Sequence, residues 1–521
     1  MSTETDSVPA LQPTDAPITA FERRFGHPPG LVILFFAEMW ERFSYYGMRG
    51  LLKLYMVNYL FITLRQTFQG ASYDGTGDPG RVLGWGFMQK LLPMIEPASD
   101  PVGFDKCVAD AIPRFVAGDA AKHMAALGVD AATNLAHQTC SVTPHASMLY
   151  GLYTGLVYMT PFFGGIIADR YLGQRKTVVV GGVLMAIGHF VMAFENQFFV
   201  ALLLLIIGNG AFKPNVSTQV GDLYKPGDPR RDGAFTIFYM GINLGSLLCN
   251  VVCGTLAVAY GWHYGFAAAG VGMCLGLTVY ILGRGYLAPD TFKRPTPGVV
   301  VEKVPLDKKE WTSVWALVIL CVLNIVFWAV YEQQGNTMQS WADEQTIWPN
   351  ILGFQIPSTW FQSFNPLCIV LLAPVFDMFW RRQAKKGTEP SSVSKMAIGC
   401  FILGGSFIVM IVGAKLVGNG QGSMFWPLFC TFLLTIGELY LSPIGLSLVT
   451  KVSPVRIVSM MMGMWLASSF FGNILSGYIG IYYTRWSKES FFLMLTLLGL
   501  AAGASMWAFN KPLKKAIGSD I

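Results

Sequence analysis

Glu38-Met-Trp-Glu41-Arg42-Phe-Ser-Tyr-Tyr46-Gly-Met-Arg49-Gly-Leu-Leu-Lys53 sets five charges inside a run that is otherwise apolar. Glu38, Glu41, Arg42, Tyr45, Tyr46, Arg49 and Lys53 stand at offsets 0, 3, 4, 7, 8, 11 and 15. That spacing draws one continuous face of an α-helix. Charges in hydrocarbon are costly, so this face must look into a protein interior or a wet cavity. The rest of the chain decides which.

The 521 residues are 53% hydrophobic and only 13% charged, about half the charge of an average soluble domain. Mean hydropathy is +0.46. Apolar runs of about 20 residues, long enough to cross a bilayer, recur along most of the chain. A soluble protein with a buried helical core does not need so many of them, and a β-barrel would show short alternating segments instead. The expected fold is therefore an all-α integral membrane protein. Its candidate spans are 30–60, 147–168, 177–194, 197–219, 233–254, 261–283, 312–335, 358–380, 394–414, 424–449, 457–482 and 489–509.

Lys and Arg gather in alternate loops, at Arg170 to Lys176, Arg284 to Glu310 and Arg381 to Lys386. The positive-inside rule makes those loops cytoplasmic, with both termini on the same side. The expected organisation is a cytoplasmic N-terminal segment (1–29), a first six-helix bundle (30–283), a cytoplasmic linker (284–311), a second bundle (312–509) and a cytoplasmic tail (510–521). The polar stretch at about 62–145 is expected to face the extracytoplasmic side, with short helices such as one near Ala109 to Leu127. It reads equally as a lid, a partner-binding feature or decoration. The opening Met1-Ser-Thr-Glu-Thr-Asp-Ser7 is acidic and lacks a positive start and an early apolar core, so no signal peptide is expected. Of the nine cysteines, only Cys107 and Cys140 share a long hydrophilic loop; whether they pair depends on an oxidising compartment. No spacing resembles a metal site or a redox pair. The net charge of +6 reads as cytoplasmic loop charge rather than as a nucleic-acid footprint.

Further charges interrupt the apolar spans. Lys213 follows Gly208-Asn-Gly-Ala-Phe and precedes Pro214; it either snorkels to the interface or pairs with a carboxylate in a central cavity, the reading favoured by the apolar residues before it. Glu332 sits in Phe327-Trp-Ala-Val-Tyr-Glu332, and Glu438 in Thr435-Ile-Gly-Glu438-Leu-Tyr-Leu-Ser442. The first half thus supplies Arg42, Arg49, Lys53 and Lys213, and the second half Glu332 and Glu438. Opposite signs on opposite halves suit ion pairs that form and break as the halves rock, or a static paired core. Asn243 and Asn365 supply amides for a polar site or for joining helices. Trp328, Trp360 and Trp465 matter only if they share a cavity with the charges. The Gly165 to Lys176 stretch lacks the Walker glycine pattern, and no nucleophile–base or metal constellation is present, so neither an ATP-driven pump nor an enzyme is expected. An ion gradient would supply the energy, with protons carried on buried carboxylates.

At this point the chain resembles the proton-dependent oligopeptide transporter family of the major facilitator superfamily. Glu38-x-x-Glu41-Arg42-Phe-x-Tyr-Tyr46-Gly is similar to that family's first-helix signature, Phe238-Tyr-x-x-Ile-Asn243-x-Gly to its fifth-span signature, and Lys213-Pro-Asn to its fourth. Gly165 to Lys176 looks like the superfamily's loop between helices 2 and 3. The resemblance implies the major facilitator fold, about 12 transmembrane helices in two six-helix bundles, and alternating-access symport of di- and tripeptides with protons. It places Arg42 and Lys213 at the peptide carboxylate, Glu438 at its ammonium, and Asn243 and Asn365 along its backbone. Tyr46, Tyr158, Ser442 and Trp465 would line the pocket. Glu38, Glu41 and Glu332 are proton candidates, with Arg49–Glu332 a gate pair. No cofactor beyond the coupling proton, no nucleic acid and no obligate protein partner is expected; the partners are peptides, protons and membrane lipid. The location implied is the plasma membrane, such as a bacterial inner membrane.

Two features depart from the family pattern: the long first external loop, and a segment between spans 6 and 7 too short and polar for the two extra helices of many bacterial relatives. Gly151 stands where animal members resemble one another in having histidine. Protonation then rests on the glutamates, since His189 and His263 look peripheral. Carriage of another solute, such as nitrate or an amino acid derivative, and a transport-inactive peptide sensor are the competing readings.

Overall fold

The computed structural model describes residues 20–61, 82–92, 100–117, 127–225, 228, 230–290, 306–454 and 457–517. The expected cytoplasmic start at 1–19, parts of the first external loop (62–81, 93–99, 118–126), the middle of the linker (291–305) and the end of the tail (518–521) lie outside them. The described residues are almost wholly helical. The long helices are α1 (Pro29–Tyr55), α2 (Pro101–Ala117), α3 (Val129–Ile167), α4 (Gln174–Val191), α5 (Phe198–Asp222), α6 (Arg230–Tyr260) and α7 (Trp262–Gly283), then α8 (Lys308–Tyr331), α9 (Phe364–Lys385), α10 (Ser392–Val417), α11 (Phe425–Val452), α12 (Val458–Ile479) and α13 (Lys488–Ile517). Among the described residues, nine helices are long and apolar enough to cross a membrane. This is an all-α, multi-pass membrane protein. α1 falls outside those nine because its charged face lowers its apolar average, yet it is buried along most of its length.

Two cores hold the helices. One runs from Leu31 to Leu287 and also takes in Ile481. The other runs from Val314 to Met506. A smaller apolar cluster joins α2 to the start of α3 through Val108, Phe115, Ala132 and Ala136. There the structure corrects the hydropathy reading, because α3 begins at Val129, well inside the stretch expected to be loop as far as residue 145. The Thr, Ser and His residues of 133–147 depress hydropathy without preventing a helix. Thr133, Thr143 and Ser147 each turn the hydroxyl back to the carbonyl four residues earlier (2.8, 2.8 and 3.1 Å), so these three hydroxyls are satisfied inside the helix. The pairing that the sequence left open is made: Cys107 and Cys140 form a disulfide, tying α2 to α3 with their Cα atoms 6.0 Å apart.

The halves meet where α1 ends. Gly151 of α3 and Gly477 of α12 cross backbone to backbone; a Cβ on Gly151 would lie 2.7 Å from the Gly477 Cα and 2.5 Å from the Asn473 carbonyl oxygen. A histidine at position 151 would not fit this crossing. Asn58 donates to Asp343 (3.2 Å), Ser363 to the Leu247 carbonyl (2.7 Å) and Trp360 to Thr255 (3.1 Å). α2 reaches over the same end to the second half, with Arg114 3.5 Å from Glu344 and Asp100 3.9 Å from Arg485.

Candidate functional site

Between the halves lies a cavity of about 320 Å³. The first half contributes Tyr46 and Arg49 from α1, Tyr158 from α3, Lys213 from α5 and Asn243 from α6. The second half contributes Trp328, Glu332, Asn365, Glu438, Ser442 and Trp465. Residues scattered from position 46 to position 465 therefore share one wall system. Every pocket-lining residue expected from the sequence is there except Arg42. Trp360, one of the three indoles under consideration, points instead to Thr255.

Arg49 and Glu332 close the cavity at the end where α1 finishes. Their guanidinium and carboxylate form an ion pair across the two halves. Glu332 is 2% exposed and Arg49 14%, so water screens the pair little. The Arg49 Nε also donates to the Tyr150 hydroxyl (2.9 Å), a partner not expected from the sequence. Losing one member of such a pair leaves the other buried and uncompensated, which is the costly case.

Glu438 is held from two sides within the second half. Tyr331 donates its hydroxyl to Glu438 Oε2 at 2.6 Å, and Asn365 donates Nδ2 to the same oxygen at 3.1 Å. Asn365 also donates to Thr435 Oγ1 (2.9 Å). Two neutral donors orient this carboxylate without neutralising it, so its charge remains directed at the cavity. Tyr331 precedes Glu332 directly in the sequence, and the aromatic run around it was the signal that could have singled it out.

Lys213 departs from the expected carboxylate pairing. Its ammonium lies 5.1 Å from the centre of the Tyr158 ring, and among the described residues no carboxylate stands within ion-pair distance. A cation over an aromatic face keeps its charge without a fixed counter-ion. Asn243 bonds to the Tyr239 carbonyl of its own helix (2.9 Å) and still borders the cavity.

Arg42, Glu38 and Glu41 form a separate buried cluster behind the wall. Arg42 lies 3.1 Å from Glu38 Oε1 and also pairs with Glu41. Asn209 donates to the other Glu41 oxygen at 2.8 Å. The Arg42 guanidinium is 6.0 Å from the ring centre of the cavity-lining Tyr46 and is itself buried away from the cavity lining. Helical spacing puts Arg42 on the cavity face; packing sets it one layer deeper. His189 does not line the cavity, as expected; it is fully buried and hydrogen-bonded to Ser44 of α1 (2.5 Å). His263 stands 3.9 Å from Glu195, at the half-exposed margin. Lys53, one turn beyond Arg49, donates to Ser147 (2.5 Å) and to the Thr143 carbonyl (3.2 Å). Among the described residues, no group of His, Cys, Asp or Glu is arranged to hold a metal ion.

The chain is 31% identical to the uncharacterized transporter YclF of Bacillus subtilis, over 95% of this chain and 96% of that one. It is 31% identical to the peptide transporter YePEPT of Yersinia enterocolitica, over 88% of each. The fold is similar to a crystal structure of a mutant peptide transporter POT in complex with alafosfalin, with a TM-score of 0.75 at 30% identity, covering 96% of this chain and 97% of that one. The model of the POT family, PTR2, matches residues 175–302 and 296–493, and with that agreement across most of its length this chain belongs to the POT family of transporters.

Proposed function

We propose that this protein is a proton-coupled symporter of di- and tripeptides that works by alternating access in the plasma membrane. One observation carries the reading furthest: the cavity between the halves presents Lys213 on one wall and Glu438 on the other. A short peptide of any sequence has a free carboxylate at one end and an ammonium at the other. Two fixed charges of opposite sign therefore recognise what all such peptides share and leave the side chains free. The naming of the Yersinia relative as a peptide transporter, and alafosfalin in the similar solved structure, support the same substrate class.

The residues take the following parts. Lys213 attracts the peptide carboxylate, with Arg42 adding positive field from behind the cavity wall. Glu438 receives the ammonium, steadied by Tyr331 and Asn365. Asn243 offers its amide to the peptide backbone, while Tyr46, Tyr158, Ser442 and Trp465 bound the space. Glu332 carries the coupling proton together with Glu38 and Glu41. Protonated Glu332 no longer attracts Arg49, which loosens the end where the halves are joined. Chemistry on the cargo is no part of this scheme, and the family is one of transporters rather than enzymes.

The architecture that goes with this function is twelve spans in two six-helix bundles, 30–283 and 312–509, joined by a cytoplasmic linker at 284–311. Both termini are cytoplasmic in this scheme, with a tail at 510–521. The ends joined by Arg49–Glu332 then face outward, and the cavity communicates with the cytoplasm. The decisive experiment is uptake of labelled Ala-Ala by proteoliposomes, with and without an inward proton gradient, in the wild type, Glu41→Gln and Lys213→Ala. Gradient-dependent accumulation, lost in both variants and indifferent to nitrate, is expected. A folded wild type that accumulates nothing, or that nitrate inhibits, overturns the proposal in favour of a sensor or another cargo.

A further inference from the structure

A second cavity, of about 300 Å³, lies beyond the Arg49–Glu332 pair. A chain of neighbouring residues leads from one cavity to the other. Arg49 borders the central cavity, and Lys53 is one helical turn further along α1. Lys53 donates to the carbonyl of Thr143, and Thr143 lines the second cavity. Its walls come from both halves: Asp110 and Arg114 of α2 on one side, Glu344, Trp486 and Lys488 on the other. The Cys107–Cys140 disulfide lies in the same wall and fixes α2 to α3 there.

The charges in this cavity are unevenly matched. Arg114 and Glu344 face each other at 3.5 Å. Lys488 donates to the Tyr483 carbonyl (2.9 Å) and stands 3.3 Å above the Tyr483 ring, which leaves the ammonium held in place with donors to spare. Among the described residues, no carboxylate lies within ion-pair distance of Lys488 and no cation within that distance of Asp110. Lys488 faces Glu344 and, beyond it, Asp110 across the space, yet it touches neither carboxylate. A fixed cation and a fixed carboxylate, separated across a walled cavity beside an indole, complement a molecule with a free carboxylate and a free ammonium.

We propose that this cavity is an outer vestibule site for small zwitterions, with Lys488 taking the carboxylate and Asp110 the ammonium. The proposal rests on the central cavity being the transport site, to which the vestibule leads. The same chemistry is offered by a free amino acid and by a short peptide.

The test uses the full-length protein in detergent, with the central site disabled by Lys213→Ala and Glu438→Gln. Binding of Ala-Ala, alanine, N-acetyl-Ala-Ala and Ala-Ala amide is followed by titration calorimetry. Residual binding of a ligand with both termini free is expected, at least tenfold weaker or absent for the two blocked peptides. Adding Asp110→Asn or Lys488→Gln should weaken it at least tenfold, and Lys488→Arg should restore it. Preference for alanine or for Ala-Ala identifies the source of the zwitterion, and either supports the site. Should Lys488→Gln fail to fold, Asp110→Asn decides, because that carboxylate anchors no ion pair among the described residues. The proposal is overturned if the disabled protein binds none of the four, or if binding survives Asp110→Asn unchanged. Absent uptake by the wild type with this residual binding intact would sink the transport reading and leave the vestibule site standing.

Discussion

Replacing Gly151 by alanine puts one methyl group into the tightest meeting of the two halves. Its Cβ would lie 2.5 Å from the Asn473 carbonyl oxygen, 2.7 Å from the Gly477 Cα and 2.8 Å from the Gly477 nitrogen. All three are backbone atoms, so no rotamer change can make room. Ordinary contact begins near 3.4 Å, and 3.4 − 2.5 gives a separation of about 0.9 Å between α3 and α12 to admit the methyl. Overpacking of this kind costs about 1–3 kcal/mol. Because the strain exists only while the halves are joined at this end, it tilts the balance toward the opposite state by about 5- to 150-fold. The assay is the distance between spin labels at Leu83→Cys and Ile347→Cys, two exposed positions on the joined end, in a Cys274→Ser background. Gly151→Ala should move a large share of the distribution to longer distances and slow uptake. An unchanged distribution, with unchanged uptake, would refute the idea that this crossing holds the closed end together.

Glu332→Gln should abolish gradient-driven accumulation while sparing peptide exchange across the membrane, which a counterflow assay separates; loss of both would point to misfolding. Arg49→Met leaves Glu332 buried without its partner and should lower stability by about 3–5 kcal/mol, read as a drop in melting temperature that Arg49→Met/Glu332→Gln partly reverses. Tyr331→Phe removes one of the two donors to Glu438, a loss of about 1.5–3 kcal/mol, and should raise the KM for dipeptides by about tenfold or more without altering the proton dependence. Reduction of Cys107–Cys140, which closes a separation of 33 residues, removes about 3–4 kcal/mol of restraint in the chain-entropy account. Trypsin cleavage after Arg114 should then accelerate, and equal cleavage rates with and without reductant would contradict the anchoring role of the bond.

Much of this site could be read before any coordinates, because membrane interiors make charge conspicuous. Glu332, Glu438 and Lys213 stand out against their apolar neighbours, and the structure brings all three to one cavity. The depth of a residue behind a face was harder to read. Arg42 and Arg49 are two turns apart on the same side of α1, yet Arg42 is buried beside Tyr46 away from the cavity lining, while Arg49 borders the cavity and meets Tyr150. Helical periodicity fixes direction but says nothing about what stands in front. The start of α3 was hidden for a different reason. Hydropathy treats Thr143 and Ser147 as polar, whereas both hydroxyls are consumed within the helix. Tyr331 carried only a weak signal, its place in an aromatic run beside Glu332, because an aromatic residue in a membrane helix is ordinary until its hydroxyl is seen at Glu438.

The bond between Cys107 and Cys140 also makes the protein a recorder of its own orientation. A disulfide forms where thiols are oxidised and is not maintained in a reducing cytoplasm. Protein precipitated from cells in acid, which protonates thiolates and halts thiol–disulfide exchange, would therefore carry, in its intact mass, the presence or absence of two hydrogens at this position. That mass reports which face of the membrane received α2 as the chain was inserted, with no label, antibody or fusion partner.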